Sequence, residues 1–170
     1  MINPFDTRSV TFAEPIEMLY ACHGKVRRFC QQIGLLPVYI TEHGYNPIAS
    51  ETIRQIYQYF TQAAPLHHQD EEQDFFPLLL RYAPQAQETI QQLHQQHNSL
   101  HQHWQALAQE FQQLEQHAQH TLNTQALQDF VDAYNAHLAL EEPLFELGKQ
   151  HIPTEQLHII GKRMAQRRQA

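Results

Sequence analysis

The sequence predicts an all-α protein, an up-down-up-down four-helix bundle with a short additional helix at the C-terminus. Glycine is scarce, with 5 residues among 170, and no stretch alternates apolar and polar residues as a half-buried strand does. Apolar residues instead recur at steps of three and four, the pattern of an amphipathic helix. With 42% hydrophobic residues the chain can fill one core, so we expect a single domain over residues 1–170.

The first helix is predicted from Thr11 to Gly34. Pro15 suits its first turn and Gly34 suits its stop. The residues expected to face the core are Ile16, Leu19, His23, Val26, Cys30 and Ile33. Residues 35–47 contain two prolines and a glycine and show no sustained period, so we expect an ordered connection there.

The second helix is predicted to begin at Ser50, which suits an N-cap. Two prolines interrupt it. We expect Pro65 to kink the helix just before a pair of histidines and Pro77 to bend or end it, because proline removes a backbone hydrogen bond and clashes with the preceding turn. The inward positions are Ile53, Tyr57, Phe60, Ala64, His67, Glu71, Phe75 and Leu78.

The third helix has the most regular heptad pattern, and short turns at 82–85 and about 117–123 bound it. Short turns favour antiparallel neighbours. Its inward residues are Ile90, Leu93, His97, Leu100, Trp104, Leu107, Phe111 and Leu114.

The fourth helix is predicted to open near Asn123 and Thr124 and to end before Gly148. A fifth, short helix over 154–168 ends in Arg167 and Arg168, cations that suit a helix C-terminus. The inward residues of the fourth helix are Leu127, Phe130, Tyr134, His137, Glu141 and Leu144.

Each of the four long helices carries ionisable residues on its inner face. Buried carboxylates without partners are costly, and so are charged imidazoles. A metal cation offsets that cost, because carboxylate oxygens and neutral imidazole nitrogens are ligands that borderline metals accept. A His and a Glu four residues apart lie on one helix face and can serve one site. The residues concerned are His23, His67 with Glu71, His97, and His137 with Glu141.

The turns also predict the register of these residues. If the chain reverses about residues 84 and 119, His67 and Glu71 lie level with His101 and His97, and His97 lies level with Glu141. The ligands of three helices would then share one layer. Five or more histidines and two glutamates exceed what one tetrahedral zinc ion takes, which favours two metal ions bridged by the carboxylates.

Other histidines have different expected positions. We expect His101 to be a further metal ligand, since it lies one turn after His97. We also expect His43, in the connection between the first two helices, to be a ligand that caps the site from one end. His94 is a weaker candidate. His68 and Glu72 lie about 100° from the inner face on helical geometry, so we expect them behind the ligands or in solvent. The expected surface histidines are His103, His117, His120, His151 and His158.

Composition excludes several classes of function. The formal net charge is -7, and 13 His outnumber 11 Lys plus Arg, which argues against nucleic-acid binding because phosphates require clustered cations. Mean hydropathy is -0.57, and no stretch approaches a membrane span or a signal peptide, so we expect a cytoplasmic protein without a membrane partner. Cys22 and Cys30 would lie about 12 Å apart on one helix, too far to form a disulfide.

Two stretches resemble a known family. Residues 67–77, HHQDEEQDFFP, are similar to the HHxxEExxLFP stretch of the hemerythrin-like HHE cation-binding family, and residues 137–145, HLALEEPLF, resemble its repeat of that motif. With His23 and His97 the resemblance covers nearly the whole chain. It departs from the pattern at Glu146, where a proline is common. The resemblance implies a four-helix bundle with two iron ions, joined by an oxo or hydroxo bridge, with zinc or manganese as alternatives.

The resemblance also implies a role for each residue. Glu71 and Glu141 would bridge the irons, with Glu142 as an alternative second bridge because it lies five residues after His137. His43 matches an extra histidine of members related to iron-centre repair proteins. The implied terminal ligands are His23 and His67 on one iron and His97, His101 and His137 on the other.

Three functions are therefore expected in decreasing order. The first is a di-iron protein that handles O₂, NO or iron itself, in sensing, stress response or iron-centre repair. The second is an enzyme that oxidises Fe(II) or reduces a peroxide or NO. The third is a structural metal site, with zinc as a candidate metal. The Gln-rich faces of the third helix suit either solvent or a homodimer contact.

Overall fold

The computed structural model describes residues 9–170, and these form five helices without a strand. The predicted all-α fold class is confirmed. The helices are α1 (Pro15–His43), α2 (47–82), α3 (Gln87–Gln116), α4 (Thr124–His151) and α5 (Thr154–Arg167), with a 3₁₀ turn at Pro84–Ala86 between α2 and α3. Helix α2 runs without interruption through five segments, Pro47–Gln58, Tyr59–Ala63, Ala64–Gln69, Asp70–Phe75 and Phe76–Tyr82.

Helix α1 is longer than predicted. It continues through Gly34 and Pro37 and ends at Gly44, whose φ is 74° and whose N–H donates to the carbonyl of Ile40. The predicted stop at Gly34 and the predicted connection over 35–47 are therefore wrong. Buried Leu36 and half-buried Ile40 continue the apolar face past Gly34, and their burial offsets the hydrogen bond that Pro37 cannot make.

Helix α2 consequently begins earlier than predicted. Asn46, not Ser50, is its N-cap, and the Asn46 side chain accepts a hydrogen bond from the N–H of Ala49 at 3.0 Å. Pro47 occupies the first turn, where a missing N–H costs nothing. Only Gly44 to Asn46 separate α1 from α2.

Two π-helical segments accommodate the prolines of α2. Tyr59–Ala63 precedes Pro65 and Asp70–Phe75 precedes Pro77, and each π turn is followed directly by α-helix. A π turn pairs residue i with residue i+5 instead of i+4, so the helix can continue although proline has no backbone N–H to donate. Pro77 therefore does not end the helix, which continues to Tyr82.

Two apolar cores fill the bundle, one toward each end. The first lies around Phe60, Trp104 and Phe130, and the second around Phe75, Phe76 and Phe145. Along α1, α3 and α4 the inner face runs from one core to the other with buried polar residues between them. The fold thus holds a polar layer in its interior.

The C-terminal helix α5 covers α1 and the Asp70–Phe75 segment. Ile160 and Met164 pack into the second core. Gly161 lets the helix approach residues before α1, because a Cβ at this position would lie only 2.0 Å from the carbonyl oxygen of Phe12. Within residues 9–170, no helix is both long and apolar enough to cross a bilayer.

Candidate metal centre

The polar layer consists of two groups of side chains that share a carboxylate. Glu71 and Glu141 are completely buried. In each group the ligand atoms lie within 4.8 Å of one another. The first group is His23, His67, Glu71 and Glu141, and the second is His68, Glu71, His97 and His137.

In the first group, two imidazoles from α1 and α2 meet the two carboxylates. Nε2 of His23 lies 2.8 Å from Oε1 of Glu141 and 3.8 Å from Oε1 of Glu71. Nε2 of His67 lies 2.7 Å from the same Glu71 oxygen. The first oxygen of each carboxylate therefore faces this group.

The second oxygens face the second group. Oε2 of Glu71 lies 3.2 Å from Nε2 of His97. Oε2 of Glu141 lies 3.4 Å from Nε2 of His137 and 3.9 Å from Nε2 of His97. Each carboxylate thus presents one oxygen to each group, which is the arrangement a bridging ligand requires.

Outer partners orient the His23 ring. Its Nδ1 lies 3.1 Å from Oε1 of Glu142, and the same oxygen accepts from the Arg27 guanidinium at 2.6 Å. In the neutral ring, a proton on Nδ1 leaves the Nε2 lone pair directed at the polar layer. Glu142 stands behind His23, whereas Glu141 is the carboxylate inside the layer.

The histidines of α3 and α4 have equivalent outer partners. Nδ1 of His97 lies 2.6 Å from Oε1 of Glu72, and Nδ1 of His137 lies 2.9 Å from the side-chain oxygen of Gln96. Such partners fix the tautomer and raise the basicity of a ligating imidazole. Three rings therefore turn Nε2 toward the polar layer.

Several buried atoms of the layer have no hydrogen-bond partner within residues 9–170, although nitrogens and oxygens lie close to them. A buried polar atom without a partner costs about 1–3 kcal/mol, so native structures contain few. Imidazole nitrogen and carboxylate oxygen together form the donor set of borderline divalent metals, and a cation in each group would satisfy these atoms. The atoms are both oxygens of Glu71, Oε2 of Glu141, and Nε2 of His97 and His137.

The two carboxylates differ in charge state. Burial raises the pKa of Glu141 to about 7, and the nearby Glu71 adds to this effect. Burial also acts on Glu71, but the imidazoles around it outweigh burial and hold its pKa well below the ordinary value. Negative charge is therefore concentrated on Glu71, the carboxylate common to both groups.

The histidines differ as well. Burial lowers the pKa of His137 to about 3, so this ring is neutral and its lone pair is available. Burial acts in the same direction on His23 and His97, but the nearby carboxylates outweigh it and raise the pKa of each to about 9. These two rings therefore carry a positive charge at neutral pH.

His68 belongs to the second group, although we predicted it behind the ligands or in solvent. It is half-buried, and its ring stacks on that of His97. The π segments of α2 explain the difference, because a π turn is wider than an α turn and adjacent residues are separated by a smaller rotation. The prolines that accompany these segments were the available signal.

Two of the predicted ligands lie outside both groups. His101 is exposed, and its Nε2 lies 3.1 Å from the side-chain nitrogen of Gln105. His43 is exposed beside Tyr39 at the end of α1. Because α1 continues as a helix, His43 lies about 30 Å along it from His23 at 1.5 Å per residue. The other six predicted residues, His23, His67, Glu71, His97, His137 and Glu141, come together in the polar layer.

A cavity of about 210 Å³ adjoins the second group. His68 and His97 form part of its wall, with Tyr134 from α4, and the exposed His101 lies on its outer side. The exposed His94 points instead to Glu72, with Nδ1 and Oε1 3.4 Å apart.

Comparison with known proteins agrees with this site. The family model described as "Hemerythrin HHE cation binding domain" matches residues 14–147, which contain every residue of both groups. A protein of Haemophilus influenzae described as "Uncharacterized protein" is 46% identical over 159 residues, which cover 94% of this chain and 92% of the relative.

Proposed function

The chain belongs to the hemerythrin HHE cation-binding domain family, and we propose that its polar layer binds two iron ions that share Glu71 and Glu141. The observation that supports this is that each of the two carboxylates directs one oxygen toward the first group and the other oxygen toward the second. A single ion in the first group would leave Nε2 of His97 and Nε2 of His137 unsatisfied, and a single ion in the second group would leave Oε1 of Glu71 unsatisfied.

The donor set favours iron over a purely structural zinc ion. Structural zinc sites are tetrahedral, closed and usually rich in cysteine, whereas these groups contain only imidazoles and carboxylates. Two histidines with a carboxylate also form the donor set of non-haem iron sites that keep open positions. Iron bound in this way supplies reversible binding of small diatomic molecules and one-electron redox chemistry.

The residues around the layer suit a small ligand such as O₂ or NO. The first group offers two imidazoles and the second offers three, so the two positions differ in the number of protein donors. The cavity beside His68 and Tyr134 provides a route from solvent that fits a diatomic molecule. We therefore place O₂ or NO handling first, in sensing, stress response or repair of iron centres.

The experiment combines anaerobic loading with Fe(II) and exposure to O₂ or NO, followed by visible absorption. Spectral changes that reverse when the gas is removed support ligand binding. Repeated turnover of Fe(II), peroxide or NO would instead establish the alternative, an oxidoreductase. Protein that takes up zinc but forms no iron-dependent bands would contradict the proposal and leave a structural site.

We place this chemistry in the cytoplasm. Both cysteines of the chain are free thiols, and Cys22 is only half-buried, which suits a reducing compartment. Such a compartment also maintains Fe(II).

A further inference from the structure

Helix α5 lies beyond residues 14–147, the part of the chain that the family model matches. It nevertheless packs against the π segment Asp70–Phe75, which carries Glu71. A helix outside the matched region thus touches the turn that presents the carboxylate common to both groups.

The closest ion pairs of the contact join two arginines to two aspartates, and the exposed Arg163 lies farther away, with its Nη1 3.7 Å from Oδ1 of Asp74. Nη2 of Arg168 lies 2.7 Å from Oδ2 of Asp70, and its Nη1 lies 3.1 Å from Oδ1. Nη2 of Arg167 lies 2.6 Å from Oδ2 of Asp74, and its Nη1 contacts Asp70 as well. Asp70 is therefore held by both guanidinium groups, with Arg168 in bidentate geometry.

Burial distinguishes these pairs from ordinary surface ion pairs. The side chains of Asp70 and Asp74 are only 1% and 3% exposed. Exposed pairs contribute little to stability, whereas a buried carboxylate that loses its partner leaves an uncompensated charge. The aspartates can remain buried only while α5 is docked.

Further contacts fix the guanidinium groups. Arg168 donates to the carbonyl of Met164 at 2.9 Å and lies 4.7 Å from the centre of the Phe12 ring. Arg167 donates to the side-chain oxygen of Gln73 at 3.2 Å. The arginines are therefore oriented from both sides of the contact.

We propose that Arg167 and Arg168 are positioning residues for the metal centre, and that docking of α5 and metal binding are coupled through the Asp70–Phe75 segment. Asp70 is adjacent to Glu71, so fixing Asp70 and Asp74 fixes the turn that directs the Glu71 carboxylate. This inference rests on the proposed function.

Coupling of this kind is reciprocal. If docked α5 raises metal affinity by a given factor, bound metal stabilises docked α5 by the same factor. The coupling can therefore be measured either as the effect of metal on the docking of α5 or as the effect of α5 on metal affinity.

The first test is hydrogen–deuterium exchange of the wild-type chain with and without Fe(II) under anaerobic conditions. Amides of residues 154–167 should exchange more slowly when metal is bound. Unchanged exchange over these residues, with slower exchange around Glu71, would overturn the coupling.

The second test is metal affinity of the double variant Arg167→Gln/Arg168→Gln, with Lys162→Gln as control. Lys162 is exposed on the same helix, so the control also removes a cation. Loss of groups that orient ligands typically lowers metal affinity about 10–100-fold, and we expect this range for the double variant only. Arg167→Lys/Arg168→Lys should restore little, because lysine lacks the bidentate fork.

The outcomes separate the two proposals. Wild-type protein that binds no metal at the layer overturns both. Wild-type protein that binds two ions, with a double variant of equal affinity, overturns the positioning role alone. A double variant that fails to fold leaves the exchange measurement on wild-type protein to decide.

Discussion

The ring of His68 stacks on the ring of His97, with centroids 4.0 Å apart and planes inclined by 16°. Burial holds the pKa of His68 well below its ordinary value, and the charge on His97 adds to this effect. His68 is therefore neutral, the form in which an imidazole binds a metal. His68 belongs to the second group, whereas His101 lies outside it.

His68→Ala and His101→Ala should consequently differ in metal content. We expect His68→Ala to lower the affinity of one of the two ions about 10-fold or more, as loss of a directly bound or orienting residue does. His101→Ala should retain both ions, since its side chain is exposed. The measurement is metal per chain after dialysis against a weak chelator. The reverse result would show that the family-implied role of His101 is right and that His68 serves only to pack against His97.

The sequence predicted the polar layer because its residues obey helical periodicity. His23, His97 and His137 replace apolar residues at positions that the period directs inward, and the structure buries all three. The same period predicted four long helices and the chain reversals near residues 84 and 119. These features follow from local spacing, which a single sequence displays.

Features in which tertiary packing outweighs a local sequence signal could not be predicted in this way. Gly34 and Pro37 are ordinary signals for a helix end, but burial of Leu36 and Ile40 outweighs them. The position of His68 depends on π turns, which have no simple periodicity. The contact of Arg167 with α2 joins residues far apart in sequence, and charge alone suggested only a helix C-terminus.

Gly34→Ala should stabilise the protein. Gly34 lies inside α1, and a Cβ there would meet no atom within 4 Å. Alanine in an open helical position is favoured over glycine by about 0.5–1 kcal/mol. Chemical denaturation measures the change in the free energy of unfolding. A destabilised variant would favour the sequence-based prediction that the helix stops at Gly34.

Gly161→Ala provides the contrasting case. Its Cβ would collide with the backbone of Phe12 at 2.0 Å, so α5 or the preceding segment must shift. Overpacking of this kind costs about 1–3 kcal/mol. We expect a lower free energy of unfolding and faster proteolysis of α5. Equal stability of Gly161→Ala and wild-type protein would mean that α5 does not pack as closely as the structure shows.

Glu71→Gln should abolish most of the stabilisation that metal confers. Ligand binding at a free concentration 100 times Kd adds about 2.7 kcal/mol per site to the free energy of unfolding. Because Glu71 faces both groups, its loss should affect both ions. The measured quantity is the rise in Tm on adding Fe(II) anaerobically. Exposed Glu115 provides the matched control, and Glu115→Gln should show the full rise.

The two cysteines should differ in reactivity. Burial raises the pKa of the Cys30 thiol to about 12, so at pH 8 almost none is thiolate. Burial also raises the pKa of Cys22, but the neighbouring His67 outweighs burial and lowers it. Iodoacetamide should therefore alkylate Cys22 in folded metal-free protein and Cys30 only after unfolding. Mass spectrometry of the modified peptides gives both rates, and faster labelling of Cys30 would contradict the packing of α1.

One layer of the bundle is proposed to hold two iron ions that share Glu71 and Glu141. X-ray absorption at the iron edge tests this most directly, on protein loaded anaerobically and freed of excess Fe(II). The iron content per chain is measured on the same sample. We expect two irons per chain, nitrogen and oxygen ligands only, and scattering from a neighbouring iron. One iron per chain, or two without iron–iron scattering, would contradict the claim.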